Sequence, residues 1–225
     1  HLQVKGHSKG NFSVKWVKKT KQHLEIASAA GLLRLTPITP ETIRVSFVKS
    51  VTGSIQDTNW KAQADTSVTW SAKESRSEVQ LMTDRILIRV EKANGALQFI
   101  SRDGKKLLAE NVSEPRLILE SQTWNFFAWD KNERLKSKGF LAEDFMDLTT
   151  KARYISFGQK KLRMPLVLSN KGYALGVAAG STVLFCNVRT YGQYVYTQGT
   201  GQIDYYFIYD ENQEKNIAQY RNLPV

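Results

Sequence analysis

The side chains that could do acid–base or nucleophilic chemistry are few. The three histidines, His1, His7 and His23, all lie within the first 23 residues of the chain. A serine or cysteine nucleophile needs a base, usually histidine, within hydrogen-bond reach. The histidines also lack the spacing of paired zinc ligands on a helix. We therefore predict surface histidines, no metal site and no histidine-assisted nucleophile.

Carboxylates are the other candidates, because glycosidase chemistry needs two of them facing each other across a sugar. The acids considered are Asp130, Glu133, Glu143, Asp144 and Asp204. Glu143 and Asp144 are neighbours in sequence, which does not place them on opposite sides of a site. Asp204 lies inside an aromatic strand, where alternation leaves two positions open, outward or in a hydrogen-bonded niche. The pattern singles out no opposed pair.

Glycine and cysteine usage argue against a cofactor and a disulfide. Gly199 and Gly201 have no third glycine or following lysine and precede a strand, so a β-turn is predicted rather than a phosphate-binding loop. The single cysteine, Cys186, lies in an apolar run and has no partner within the chain. We predict no cofactor, a buried thiol and a reducing, cytoplasmic setting. A secreted origin stays open if a signal segment has been removed.

Composition and charge exclude several classes of protein. The 225 residues are 41% hydrophobic and 11% aromatic, which excludes a disordered chain and a collagen-like repeat. The net charge is +11, with basic residues crowded at 5–21 and 131–138. No recognition helix or zinc spacing accompanies them, so we predict solvated faces of edge strands and no nucleic-acid partner. No stretch approaches the roughly 20 apolar residues of a membrane span, and no membrane partner is predicted.

Alternation of apolar and polar residues recurs along the chain and predicts more than ten short strands. The runs are Phe12–Trp16, Thr42–Val48, Glu78–Met82, Arg85–Val90, Arg116–Glu120, Met164–Leu168, Tyr173–Val177, Thr182–Phe185, Gln193–Tyr196 and Ile203–Tyr209. Turn signals such as Asn94-Gly95 and Asp103-Gly104 separate them.

The elements predict an all-β fold, a large antiparallel β-sandwich with a short C-terminal helix. The helix is expected from Asn212 to Tyr220, with Asn212 as its N-cap. A second helical turn is expected at Phe140–Met146. We assign residues 1–210 to the sandwich and 211–225 to the start of a linker helix.

Aromatic side chains are the more suggestive class of candidate binding residues. Exposed rings stack on sugar faces, whereas buried rings fill sandwich cores, and the core role is favoured for any single ring. The residues are Trp60, Trp70, Trp124, Phe126, Phe127, Trp129, Tyr191, Tyr194, Tyr196, Tyr205, Tyr206 and Tyr209.

Several segments, in order along the whole chain, resemble the N-terminal region of glycoside hydrolase family 31, the α-glucosidase and α-xylosidase family. They are Leu33–Pro40 with Thr42–Phe47, Asn94–Ile100 with Asp103–Leu108, Met164–Gly176, and Asp204–Tyr209 with Ile217–Arg221. The last pair looks like the strand and linker helix that precede the catalytic barrel. The resemblance implies a galactose-mutarotase-like sandwich joined to a (β/α)8 barrel.

The same resemblance places the family's catalytic aspartates in the barrel, beyond residue 225. It implies that this chain has no catalytic residue of its own and meets an α-glucoside or α-xyloside only within the parent enzyme. In the family, a loop of the sandwich reaches toward the barrel's pocket, and by order it should lie between Thr150 and Lys161. This loop lacks the family's aspartate, and the candidate substrate contacts are Tyr154, Phe157 and Gln159.

Three alternatives stay open. A stand-alone carbohydrate-binding module would show exposed coplanar aromatic rings and glycan affinity. An aldose-epimerising enzyme on the same fold needs a general acid and base in the sandwich cleft, which the absence of histidine after His23 disfavours. A nucleic-acid binder would bind heparin in a strongly salt-dependent way.

Overall fold

The computed structural model describes residues 7–49, 68–178 and 180–223. His1, Trp60 and Lys5, the first residue of the basic stretch 5–21, lie outside these ranges. The described residues form twenty strands and one helix. Every strand pairing is antiparallel, as the sequence predicts.

Three sheets contain all of these strands. The nine-stranded sheet has the order β1-β2-β3-β4-β20-β17-β16-β12-β13, formed by β1 (Val14–Lys19), β2 (Leu24–Ser28), β3 (Gly31–Thr39), β4 (Thr42–Val48), β20 (Ile203–Tyr209), β17 (Tyr173–Val177), β16 (Leu166–Ser169), β12 (Leu135–Lys138) and β13 (Phe145–Asp147). The six-stranded sheet has the order β10-β11-β19-β18-β14-β15, formed by β10 (Arg116–Leu119), β11 (Gln122–Phe126), β19 (Gly192–Gln198), β18 (Thr182–Val188), β14 (Ala152–Phe157) and β15 (Lys160–Lys161). The five-stranded sheet runs in chain order through β5 (Ser71–Glu74), β6 (Glu78–Met82), β7 (Ile86–Glu91), β8 (Leu97–Ser101) and β9 (Lys106–Ala109).

One hydrophobic core joins the three sheets and makes the architecture a sandwich. The nine-stranded sheet contributes residues such as Val45 and Phe207, the five-stranded sheet Phe99, and the six-stranded sheet Phe185. The rings of Phe99 and Phe207 stack with centroids 4.1 Å apart, so the two sheets meet there. Alternation along β20 sends Phe207 into this core and Tyr206 to the opposite face.

The helix α1 (Gln213–Arg221) covers the outer face of the nine-stranded sheet. The side chain of Asn212 accepts a hydrogen bond from the amide of Glu214, which confirms its predicted role as the N-cap. Ile217 and Tyr220 pack on Tyr206, and together they bury an apolar layer that the sheet would otherwise expose.

The segment Phe140–Met146 is not helical, contrary to our expectation. Residues 140–143 form a bend and a turn, and β13 begins at Phe145. The Lys138 ammonium donates hydrogen bonds to the carbonyl groups of Gly139, Leu141 and Ala142, which a helix would turn toward its own amides.

Lys138 is also an exception to the prediction of solvated basic faces, because it is only 1% exposed. The prediction is confirmed for Lys15, Lys18 and Lys19, which are exposed on β1 at the edge of its sheet. Among the described residues no helix is long and apolar enough to cross a bilayer.

Candidate functional site

The predicted contact segment forms a β-hairpin at the edge of the six-stranded sheet. The expected loop is therefore a pair of strands, β14 and β15, joined by the tight turn Gly158-Gln159. Gly158 has φ of 60°, a left-handed conformation that favours glycine. Its amide donates to the Thr182 hydroxyl at 2.9 Å, which ties the hairpin tip to β18.

The structure brings Tyr154, Phe157 and Gln159 together on this hairpin. Tyr154 is 37% and Phe157 is 61% exposed, and Gln159 is exposed in the turn. The two rings meet edge to face, with centroids 5.2 Å apart and planes at 89°. Such a pair offers a ring face and a ring edge to a ligand in solution.

A register shift explains why both rings share one side of β14. Simple alternation would place Tyr154 and Phe157 on opposite faces of the strand. The pairing with β18 shifts between Tyr154 and Ser156, and the two residues Ile155 and Ser156 are both buried. This bulge returns Phe157 to the side of Tyr154.

Tyr154 also ends a cross-strand row of apolar side chains on the outer face of the six-stranded sheet. The directly paired residues across five strands are Leu117, Trp124, Tyr196, Leu184 and Tyr154. The Trp124 and Tyr196 rings lie 5.1 Å apart between centroids, and both are buried. Cys186 lies in the same outer layer and is buried, as predicted. The row gives the hairpin a rigid base.

Among the five acids considered for a catalytic pair, Asp130 and Glu133 share one cation, Lys171, and the others lie apart from them. Asp204 is buried and bound by Arg44, which settles its position in a hydrogen-bonded niche. Glu133 accepts hydrogen bonds from the Tyr173 and Ser169 hydroxyls. Asp130 pairs with Lys171 and Asp144 with Arg163, whereas Glu143 is exposed.

A sixth acid, Glu110, lies in the interior and was missed by sequence reasoning. Its carboxyl accepts hydrogen bonds from the Leu97 amide at 2.8 Å and the Asn125 side-chain amide at 2.7 Å. Arg116 lies 3.5 Å away. Burial raises the pKa of Glu110, and Arg116 opposes that shift. No alternating pattern marks Glu110, because it lies just past the end of β9.

Asn125 and Tyr205 extend from this cluster to a small cleft between the nine- and six-stranded sheets. The cleft is otherwise lined mainly by apolar side chains such as Phe127 and Val177. Burial raises the pKa of Tyr205 well above its ordinary value, so its hydroxyl keeps its proton. Within the described residues the Tyr205 hydroxyl and Asn125 Oδ1 have no hydrogen-bond partner, so these two groups do not link the sheets.

Histidines and metals add no further site in the described ranges. His7 and His23 are partly buried and contact Glu114 and Glu25, rather than lying on the open surface as expected. No group of three histidine, cysteine or acidic side chains in these ranges could hold a metal ion.

Some solved structures share this architecture at low sequence identity. No protein-family model matches the chain, and no curated protein is similar enough in sequence to match. Solved structures do match. A GH31 dextranase of Flavobacterium johnsoniae, complexed with glucose, superposes with a TM-score of 0.78 at 16% identity, over 95% of this chain and 28% of the dextranase. The fold is one that GH31 enzymes carry.

Two further solved structures give the same result. A GH31 α-xylosidase from a soil metagenome, complexed with xylose, matches with a TM-score of 0.72 at 17% identity, over 90% of this chain and 33% of the xylosidase. A cycloalternan-forming enzyme from Listeria monocytogenes matches with a TM-score of 0.78 at 14% identity, over 95% of this chain and 22% of the enzyme. The chain thus spans between a fifth and a third of the enzymes that it resembles.

Proposed function

We propose that the chain is the N-terminal β-sandwich domain of a family 31 glycoside hydrolase. In this proposal it packs on a (β/α)8 catalytic barrel of the same polypeptide and has no catalytic residue of its own. The supporting observation is that nearly the whole chain, 95%, superposes on only 28% of a GH31 dextranase. The five acids considered above each serve another contact or lie exposed, which agrees with chemistry performed elsewhere.

The hairpin β14–β15 is the part of the sandwich that meets the sugar. Phe157 and Tyr154 stack on a sugar ring, and the Gln159 amide forms hydrogen bonds with its hydroxyl groups. The exposed ring pair supports this role, because a free aromatic pair on a rigid edge loses little conformational entropy when a ligand binds. Residues 211–225 then begin the connection to the barrel, with α1 fixing its starting direction.

The hairpin's role is tested in the polypeptide extended by the following part of its gene. Phe157→Ala removes a stacking surface of about 0.5–1.5 kcal/mol, so KM for p-nitrophenyl α-glucoside or α-xyloside should rise about twofold to tenfold. Tyr191→Ala is the matched control, because Tyr191 is a similarly exposed ring of the same sheet in the β18–β19 turn. A KM that responds equally to both variants, or to neither, would contradict the contact.

A stand-alone carbohydrate-binding module is the second candidate function. The exposure of the ring pair favours it, whereas the 89° angle between the ring planes differs from the coplanar rings expected of such a module. It predicts glycan affinity in the 225-residue chain without any barrel. Binding of isomaltotriose to the chain, lost in Phe157→Ala, combined with an extended polypeptide that hydrolyses neither substrate, would favour the module.

A further inference from the structure

The hairpin lies in a long segment of the chain whose charged residues are all basic. From Leu148 to Ile203 there is no aspartate or glutamate. The basic residues in this segment are Lys151, Arg153, Lys160, Lys161, Arg163, Lys171 and Arg189. Arg163 and Lys171 pair with acids from outside the segment. For the other five, no carboxylate of the described residues lies within ion-pair distance, so their charges face solvent or a ligand.

The strand register selects Lys160 among these five. Lys160 is paired directly with Phe157 across the hairpin, and directly paired residues project from the same face with Cβ atoms about 4.5–5.5 Å apart. Lys161 pairs with the buried Ser156 and therefore projects from the other face. Arg153 donates to the carbonyl of Ala152 at 3.2 Å. Lys160 therefore projects from the face that carries the exposed ring pair, and its ammonium can reach a ligand stacked there.

We propose that this hairpin prefers a sugar that carries a carboxylate, a uronic acid, over a neutral one. The inference rests on the proposed sugar contact and adds its substrate class. The sugar ring stacks on Phe157 and Tyr154, and the Lys160 ammonium pairs with the carboxylate at the edge of the ring. Because the segment holds no acid, nothing within it competes for Lys160 or repels the ligand.

Binding of three ligands to the 225-residue chain tests the preference by calorimetry at 0.1 M salt. Trigalacturonate carries carboxylates, isomaltotriose is neutral, and sulfated isomaltotriose distinguishes any sugar-borne anion from a carboxylate. We expect trigalacturonate to bind more tightly than isomaltotriose. Lys160→Gln should weaken trigalacturonate about threefold to fivefold, the effect of one solvent-exposed ion pair, and leave isomaltotriose unchanged.

Two variants complete the experiment. Lys73→Gln makes the same charge change at an exposed lysine of the five-stranded sheet, and it should alter trigalacturonate binding far less than Lys160→Gln. Phe157→Ala should weaken both trisaccharides. If a single-stranded oligonucleotide binds tightly and with the same dependence on Lys160, the hairpin binds polyanions in general and the inference is overturned.

The remaining outcomes separate this inference from the proposed function. Equal affinities for trigalacturonate and isomaltotriose that both depend on Phe157 would overturn the charge preference and leave the sugar contact standing. Equal losses in Lys160→Gln and Lys73→Gln would assign the preference to net charge alone, which also overturns it. Tighter binding of the sulfated sugar would reject the carboxylate. If neither trisaccharide binds the chain, the inference is wrong, whereas the sugar contact is judged by the KM of Phe157→Ala.

Discussion

Among single residues, Arg44 and Asp204 form a buried ion pair on the nine-stranded sheet. The side chains are 4% and 1% exposed, so both charges have lost most of their water. Arg44 Nε donates to Asp204 Oδ1 at 2.9 Å, and Ser46 and Gln202 donate to the same carboxylate. These bonds join β4 to β20, two strands that lie 155 or more residues apart in sequence. A buried pair is costly to break because one charge remains without its counter-charge.

We therefore expect Asp204→Ala to lower the free energy of unfolding by about 3–5 kcal/mol. The control is Glu78→Gln, which removes the carboxylate from the half-exposed Arg89–Glu78 pair at 3.2 Å and should cost less than about 1 kcal/mol. Urea unfolding of both variants gives the comparison. Similar small losses in the two would show that Asp204 does not hold the sheet together.

Features of single residues were predicted correctly where residue type and local pattern determine them. They were missed where strand register or distant parts of the chain determine them. The buried thiol of Cys186 and the N-cap Asn212 follow from residue type and local pattern. The common side of Tyr154 and Phe157 depends on a bulge against β18, which no period-two pattern encodes. Glu110 was missed because its partners, Leu97, Asn125 and Arg116, come from three other points of the chain.

At the scale of elements, helix α1 depends on a glycine in the sheet below it. A Cβ built on Gly176 of β17 would lie 2.7 Å from two ring atoms of Tyr220. The absence of a side chain there lets the Tyr220 ring lie against the strand, next to Leu166. The position of α1 is therefore set by shape as well as by its apolar residues.

Gly176→Ala should destabilise the protein by about 1–3 kcal/mol, because the helix must shift to admit the methyl group. In the background of Tyr220→Leu the same alanine should cost at least about 1 kcal/mol less, since the ring it would strike is gone. A double-mutant cycle by thermal or urea unfolding measures this coupling. If the losses in unfolding free energy of the two single variants simply add, Gly176→Ala does not act through the Tyr220 ring.

The ten alternating runs fall on ten of the twenty strands of the described residues, whereas the segment that forms β14 and β15 was expected to be a loop. Four strands, β4, β6, β17 and β20, match their sequence patterns residue for residue, and each of them sends one face into the core. The segment Phe140–Met146 has helix-forming residues, yet the buried ammonium of Lys138 takes three of the nearby carbonyl groups. A tertiary contact of this kind overrides local propensity.

At the scale of the whole molecule, burial of tyrosine ties stability to alkaline pH. Burial raises the pKa of Tyr206 to about 12 from an ordinary value of 10.0. The unfolded chain therefore releases this proton first as the pH rises, and the native state holds more protons between pH 10 and 12. The contribution of this group to the free energy of unfolding is fully present below pH 10. It decreases between pH 10 and 12, by up to about 1.4 kcal/mol per pH unit.

Tyr206→Phe should make the decline of unfolding free energy between pH 10 and 12 less steep by up to that amount. Urea unfolding at several pH values compares the slopes, so any constant loss from the missing hydroxyl does not affect the result. Other buried tyrosines, among them Tyr173 and Tyr205, also have raised pKa values and keep part of the decline in the variant. Equal slopes in the two proteins would contradict the assignment to Tyr206.

The sandwich class follows from the sequence, whereas the strand order does not. Short strands with tight turns imply antiparallel sheets. The placement of β20 between β4 and β17, and of β19 beside β11, depends on pairings between distant segments that local patterns do not encode. The division into three sheets around one core has the same origin.

The central claim is that the sandwich belongs to a family 31 glycoside hydrolase whose chemistry lies in a separate barrel. Hydrolysis of p-nitrophenyl α-glucoside and α-xyloside, by this chain and by the polypeptide extended through the following part of its gene, tests it most directly. We expect hydrolysis by the extended polypeptide and none by the 225-residue chain. Hydrolysis by the short chain would contradict it and would return attention to the acids of the sandwich itself.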